Sequence, residues 1–155
     1  MSVFKVIIVE NKFHKNTTQR RIVFRSKWEI EFAKFLDSNT NVVKWRNDYP
    51  VKYRDKYLTQ KIKNYYIDFY VEMKNKEILL IEVKPLNALT RRVETKSMRY
   101  KKIHTTNYLK NLAKFDTVEV FCQKIHWKFF IAQREGQGFR FYHWDTTKKI
   151  PILIH

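Results

Sequence analysis

The sharpest alternation of apolar and polar positions lies in residues 65–85. There YYIDFYVEM and EILLIEVKP, both rich in β-branched and aromatic residues, flank the polar corner Lys74-Asn75-Lys76. Two such runs around a short turn predict an antiparallel hairpin. With a three-residue loop, Met73 pairs with Glu77, and counting back along both strands sets Asp68 opposite Glu82. Lys84, two residues beyond Glu82, projects from the same face.

Upstream, residues 3–9 (VFKVIIV) predict a short strand. Residues 11–21 follow as a basic segment with Lys12, Lys15, Arg20 and Arg21, whose low apolar content predicts an arm that orders only on a partner. The basic N-terminal arm as a whole covers about residues 1–24. Ser26-Lys27-Trp28-Glu29 matches a capping box and predicts a helix over residues 26–37, with Trp28, Phe32, Phe35 and Leu36 on one stripe. Glu29 falls on the border of that stripe. It serves there either as the returning carboxylate of the cap or as a third acid aimed at the hairpin. Residues 42–45 and 49–53 predict two strands of the hairpin's sheet, interrupted at Asn47-Asp48, and residues 54–64 a lysine-rich connection.

Downstream, residues 91–103 contain no helix breaker and predict a helix. A longer one begins near Thr105, because Tyr108, Leu112, Phe115, Val118, Cys122 and Ile125 recur every three or four residues. Val118-Glu119-Val120 alternates like a strand and competes with that assignment. Residues 126–131 predict a further strand, Gly136-Gln137-Gly138 a turn, and residues 139–144 a last aromatic segment. With neither an internal repeat nor a long linker, residues 1–155 are expected to form a single domain.

Charge changes the picture more than hydropathy does. Lysine and arginine number 32 against 15 acids, a formal net charge of +17, so an extended polyanion is the expected partner. Double-stranded DNA fits that requirement. A membrane does not, since the apolar runs are too short to span one and no basic amphipathic anchor stands alone. The imbalance is steepest from Lys84 to Lys114, where Glu94 is the one acid. This stretch, with Arg91, Arg92, Lys96, Arg99, Lys101 and Lys102, is the expected backbone-contacting surface, together with Arg20, Arg21 and Arg25; the competing account is a solvated face. The single cysteine, Cys122, excludes a disulfide framework and fits a reducing cytoplasm. His104, Cys122 and His126 lack the paired spacing of a structural zinc site.

Two carboxylates opposed on one sheet face, with Cβ atoms roughly 5 Å apart, repel each other. A hard divalent cation between Asp68 and Glu82 would offset that repulsion and keep both ionised. The plainer account is a polar face on which Lys84 pairs with Glu82.

A helix bearing Glu29, then Asp68-Phe69, then Ile81-Glu82-Val83-Lys84-Pro85 and a further helix resembles the PD-(D/E)XK nuclease superfamily. The nearer likeness is to the branch holding the endonuclease subunit of heteromeric transposases and the head-completion nuclease of tailed phages. Arg25-Ser26-Lys27-Trp28-Glu29 with Phe32 and Phe35, and the helix of Tyr108 leading into Trp127-Lys128-Phe129, belong to the same likeness, which covers roughly residues 20–134. Ile67 stands where the motif's name has proline.

The resemblance implies an α/β (α+β) fold with a restriction-endonuclease-like core, a mixed sheet of four to five strands flanked by helices. It implies a DNA endonuclease using Mg²⁺, with Mn²⁺ as substitute. Glu29, Asp68, Glu82 and Lys84 would be its catalytic residues, and Asp68, Glu82, the Val83 carbonyl and Glu29, directly or through water, its metal ligands. Lys84 would orient the attacking water, leaving a 5′-phosphate and a 3′-hydroxyl. The expected context is head completion on packaged genome ends, with portal, neck or packaging proteins as partners, in the host cytoplasm or the virion. The alternatives are a transposase endonuclease subunit, which usually carries an additional C-terminal domain, and a non-catalytic DNA-binding or virion structural protein on a nuclease fold.

Overall fold

The structure is a computed structural model, and it describes residues 6–89 and 96–155. Two strands, β1 (Ile7–Glu10) and β2 (Arg21–Phe24), form a small antiparallel hairpin. Helix α1 (Lys27–Ser38) leads to the long strand β3 (Val42–Arg54), then β4 (Ile62–Met73) and β5 (Ile78–Val83). A short 3-10 turn (Leu86–Leu89) precedes helix α2 (Met98–Ile125), and strands β6 (Lys128–Glu135), β7 (Gly138–Asp145) and β8 (Ile150–Leu153) complete the chain.

Strands β3 to β8 form one six-stranded sheet in chain order, antiparallel throughout except where β5 runs parallel to β6. This is the mixed α+β sheet expected from the sequence, with one strand more than the upper count. Strand β8 escapes sequence reasoning because Pro151 interrupts its short apolar run; as the last strand, it can accommodate a residue without an N–H.

The sheet separates two cores. On one face α2 packs Phe115, Val118 and Cys122 against Leu80, Phe129, Ile131 and Trp144. On the other, Phe32, Ala33 and Leu36 of α1 join Ile22 and Phe24 of β2 over Trp45, Phe69, Val71 and Ile81. Side chains of a strand alternate between faces, yet Tyr65 and Ile67 belong to the α2 core while Phe69 and Val71 belong to the α1 core. Strand β4 therefore exchanges faces at Asp68. Strand β3 does the same: Trp45 lies in the α1 core, Val51 and Tyr53 in the α2 core, and between them Asp48 adopts φ 56°. Asn47-Asp48 thus twists one continuous strand where the sequence predicted a break between two.

Three further expectations are corrected. Part of the basic arm lies folded against the core without a partner. Asp37 accepts the Lys15 N–H at 2.9 Å, Trp45 N–H donates to the Lys15 carbonyl at 3.0 Å, and buried Asn47 binds both Gln19 and the Val23 carbonyl. Amide side chains here do what apolar burial does elsewhere, which is why hydropathy missed it. Second, residues 98–103 are continuous with the later helix in a single α2, and Val118-Glu119-Val120 is helical; residues 91–95, the start of the predicted helix, lie outside the described residues. Third, Glu29 accepts from the Arg25 N–H at 2.9 Å, one residue before the cap, while Ser26 accepts from the Glu29 N–H as predicted.

Candidate active site

The β4–β5 hairpin has the predicted register, with Phe69 opposite Ile81 and Glu72 opposite Ile78. Its loop closes through Met73 N–H to the Glu77 carbonyl and Lys76 N–H to the Met73 carbonyl, with Lys76 at φ 70°. Phe69–Ile81 is the last pair of this ladder. Beyond it β4 runs on along β3 while β5 stays with β6, so the sheet forks.

Asp68 and Glu82 stand at that fork. A fork frees backbone donors that must find acceptors. The Asp68 N–H donates to Glu82 Oε2 at 3.2 Å, and the Val83 N–H donates to Asp68 Oδ2 at 2.8 Å. Each carboxylate thereby binds the other strand's backbone with one oxygen and keeps the second for other work. Both are buried, at 8% and 6% exposure. Lys84 Nζ lies 3.9 Å from Glu82 Oε1, and its N–H continues the ladder to the Ala132 carbonyl.

Glu29 reaches the same region from α1. Buried and bound to the Arg25 N–H, it has its pKa raised by burial and by the charge of Glu82. Burial and the charges of Glu82 and Glu29 hold Asp68 well above the usual carboxylate range. The four predicted catalytic residues therefore come together electrostatically, but not to equal degrees. Asp68 and Glu82 interlock; Glu29 contributes its field from the facing helix. Among the described residues no three His, Cys, Asp or Glu side chains are grouped closely enough to hold a metal ion.

A magnesium site does not need three. Mg²⁺ keeps several waters and is commonly held by one or two carboxylates together with substrate phosphate. Two interlocked carboxylates whose charges repel, each with an oxygen to spare, fit that donor chemistry. Zinc ligation fits less well: His126 caps α2 in the left-handed region, and burial pushes the Cys122 thiol up to about 12, where it stays protonated.

Sequence reasoning missed three neighbours of the site. Asp48 lies between the pairs Asn47–Phe69 and Tyr49–Ile67, hence level with Asp68, and is ion-paired with Arg25 at 2.7 Å. Its signal was the break in alternation that passed for a loop. Lys114, on α2, faces the rings of Tyr53 and Tyr65 and feels the charges of Lys84, Glu82 and Asp68. A lysine between buried Ala113 and Phe115 was the clue. Tyr65 is buried too, and burial with the charges of Glu82 and Asp68 pushes its hydroxyl's pKa well above the usual phenol value.

The predicted DNA-contacting residues are exposed wherever they are described. Arg20, Arg21 and Arg25 line the N-terminal hairpin, although Arg25 is engaged by Asp48. Arg99, Lys101 and Lys102 lie in the first turns of α2 and Lys96 just before its Ser97 cap, while Arg91 and Arg92 fall outside the described residues. Helix α2 connects parallel strands β5 and β6, so its first turns lie at the end of the sheet where β5 delivers Glu82 and Lys84. Met98, Tyr100 and Ile103 are exposed there, so the basic first turns cover no apolar core. No helix of the described residues is long and apolar enough to cross a membrane.

Residues 39–134, well over half of the chain, match the family described as the TnsA-like endonuclease N terminal. The match spans Asp68, Glu82 and Lys84 and begins after Glu29. No curated protein and no solved structure matches the chain.

Proposed function

The chain belongs to the TnsA-like endonuclease N-terminal family, and from that premise we propose that it is a Mg²⁺-dependent endonuclease hydrolysing phosphodiester bonds of double-stranded DNA. The observation that carries this reading is the fork. Two buried carboxylates from adjacent strands interlock there, with a lysine two residues beyond one of them.

Bound Mg²⁺, or Mn²⁺ in its place, would supply an acidified water as nucleophile and neutralise charge on the phosphate. Asp68 and Glu82 would hold the ion with their second oxygens, the Val83 carbonyl would complete the protein's share, and Glu29 would act from behind through water. Lys84 would orient the attacking water and stabilise the charge that grows on the phosphate oxygens. Arg20, Arg21, Arg25, Lys96, Arg99, Lys101 and Lys102 would draw the duplex to the site, and Arg91 and Arg92 belong to the same basic stretch of sequence. The expected product ends are a 5′-phosphate and a 3′-hydroxyl.

For biological context, the family match supports DNA cutting in the manner of a transposase endonuclease subunit. Head completion in a phage, with portal, neck or packaging proteins as partners and the host cytoplasm or virion as location, has only the sequence resemblance behind it. A non-catalytic reading also has an observation in its favour: the backbone hydrogen bonds of Asp68 and Glu82 would hold the fork together in a retired nuclease as well.

Nicking of supercoiled plasmid separates the two. Wild-type protein is expected to cut with Mg²⁺ or Mn²⁺ and not with EDTA, while Asp68→Ala and Lys84→Ala lose cutting and keep salt-sensitive DNA binding. Should wild type and Lys84→Ala behave alike under both metals, the chain is a binding module.

A further inference from the structure

Lys114 occupies a place where lysine is rare. Its neighbours on α2, Ala113 and Phe115, are 1% and 0% exposed, and charged residues enter such surroundings mainly when paired. Here the ammonium has aromatic partners. Nζ lies 5.0 Å from the ring centroid of Tyr65 and 5.8 Å from that of Tyr53, a contact that attracts a cation without neutralising it. The rings come from β3 and β4 just past the level where both strands exchange faces, so the same twist that sets Asp68 at the fork also builds this platform.

The charges around Lys114 point to an anion. Burial and the neighbouring charges of Lys84 and Lys110 disfavour its ammonium, while Glu82 and Asp68 favour it. Lys84 follows β5 directly and Lys114 lies on α2 over Tyr65, three residues before Asp68 on β4, so amines from two elements act on one pair of acids. Their mutual repulsion is unfavourable for the free protein. A phosphodiester bound between them would offset it, and aromatic rings holding the lysine stem would fix where the ammonium sits.

We propose that Lys114 is a second phosphate-binding lysine of the site, set by the Tyr53 and Tyr65 rings to hold a backbone phosphate of the DNA strand against Asp68 and Glu82. The proposal rests on the nuclease reading for its substrate and adds a contact from α2 that the predicted motif residues do not supply. It also explains why the tyrosine platform stands beside the fork.

Lys114→Met tests it, because methionine keeps an unbranched stem on the rings and deletes the charge; Lys114→Arg restores a cation. Duplex DNA binding is measured against salt in EDTA, where no cutting occurs, and single-turnover cleavage with Mg²⁺ follows. Lys114→Met is expected to flatten the slope of log affinity against log salt by about one while its thermal midpoint is retained. Cleavage is expected to slow on the order of 100-fold, and Lys114→Arg should recover the slope. An unchanged slope in Lys114→Met overturns the proposal whatever the cleavage rate. If wild-type protein never cuts but the slope still falls, the nuclease reading fails and the phosphate contact stands.

Discussion

Asp48 and Asp68 stand level with each other in the β3–β4 ribbon, between the pairs Asn47–Phe69 and Tyr49–Ile67, and both strands exchange faces there. The exchange lets one ribbon serve two cores: its Trp45–Phe69 end lies under α1 and its Tyr53–Tyr65 end under α2. Asp48 makes the twist at φ 56°, a region that Gly, Asn and Asp enter most readily. Asp48→Ala is therefore expected to destabilise the fold by about 1–2 kcal/mol, and Asp48→Gly by less. Breaking the half-exposed ion pair from the other side, with Arg25→Ala, should cost under about 1 kcal/mol. Urea unfolding of the three variants checks the order. Equal losses in Asp48→Ala and Asp48→Gly would assign the effect to charge rather than backbone.

A site that gathers repelling acids is built at the expense of stability. Asp68→Asn keeps an oxygen for the Val83 N–H and removes one of the charges that Glu82 and Glu29 oppose. In EDTA it should unfold later than wild type, by on the order of 1 kcal/mol, while cutting no DNA. Wild type should in turn gain from Mg²⁺, about 2.7 kcal/mol at a hundredfold excess over the dissociation constant, and Asp68→Asn should gain far less. Thermal melts with and without Mg²⁺ measure both. A mutant that melts earlier in EDTA yet responds fully to Mg²⁺ would remove Asp68 from the metal site.

How much of the fold and site was legible in the sequence depended on whether local chemistry or tertiary packing decided the outcome. The hairpin register was legible because its short polar corner fixed the pairing, even though Lys76 takes the positive φ that glycine usually supplies. Helix α1 announced itself through Ser26 and Glu29. The first turns of α2 were harder, since Met98, Tyr100 and Ile103 remain exposed and give no periodic apolar face. Lys114 and Asp48 were hidden for a related reason. Each is conspicuous only once another element is packed against it, Tyr65 for the lysine and Asp68 for the aspartate. Glu29 was legible as a residue and ambiguous as a role, because cap and third acid turn out to be compatible.

The first turns of α2 carry Arg99, Lys101 and Lys102, with Lys96 just before the Ser97 cap, all exposed and without an apolar core beneath residues 98–103. Residues so placed are expected to meet DNA through phosphates and to confer no base preference. Changing Arg99, Lys101 and Lys102 together to Glu should weaken binding equally on unrelated duplexes. It should also flatten the salt dependence by about 0.9 for each phosphate that is no longer neutralised. Fluorescence anisotropy at several salt concentrations reads both quantities. An unchanged salt slope would show that the duplex avoids this helix.

Acid sensitivity should trace in part to Asp55, which organises the turn between β3 and β4. Its side chain is fully buried, and Oδ2 accepts from the Thr59 N–H at 3.3 Å, the Thr59 hydroxyl at 2.9 Å and Lys63 Nζ at 3.1 Å. Burial alone would raise its pKa, but the Thr59 and Lys63 donors outweigh it and leave the folded value below the usual 3.8. A depressed carboxylate stabilises the fold fully above its unfolded pKa and loses that contribution as pH falls through the folded value. The loss attributable to Asp55 should therefore begin near pH 4 and deepen below it. Other acids complicate the raw profile, since burial and like charges raise Glu29 and Asp68 and give them the opposite dependence. The difference between wild type and Asp55→Asn isolates the one residue. At pH 7 the variant should be less stable, because the amide offers Lys63 no negative charge. Toward pH 3 the two urea midpoints should converge, and curves that remain parallel over that range would place the control of acid unfolding elsewhere.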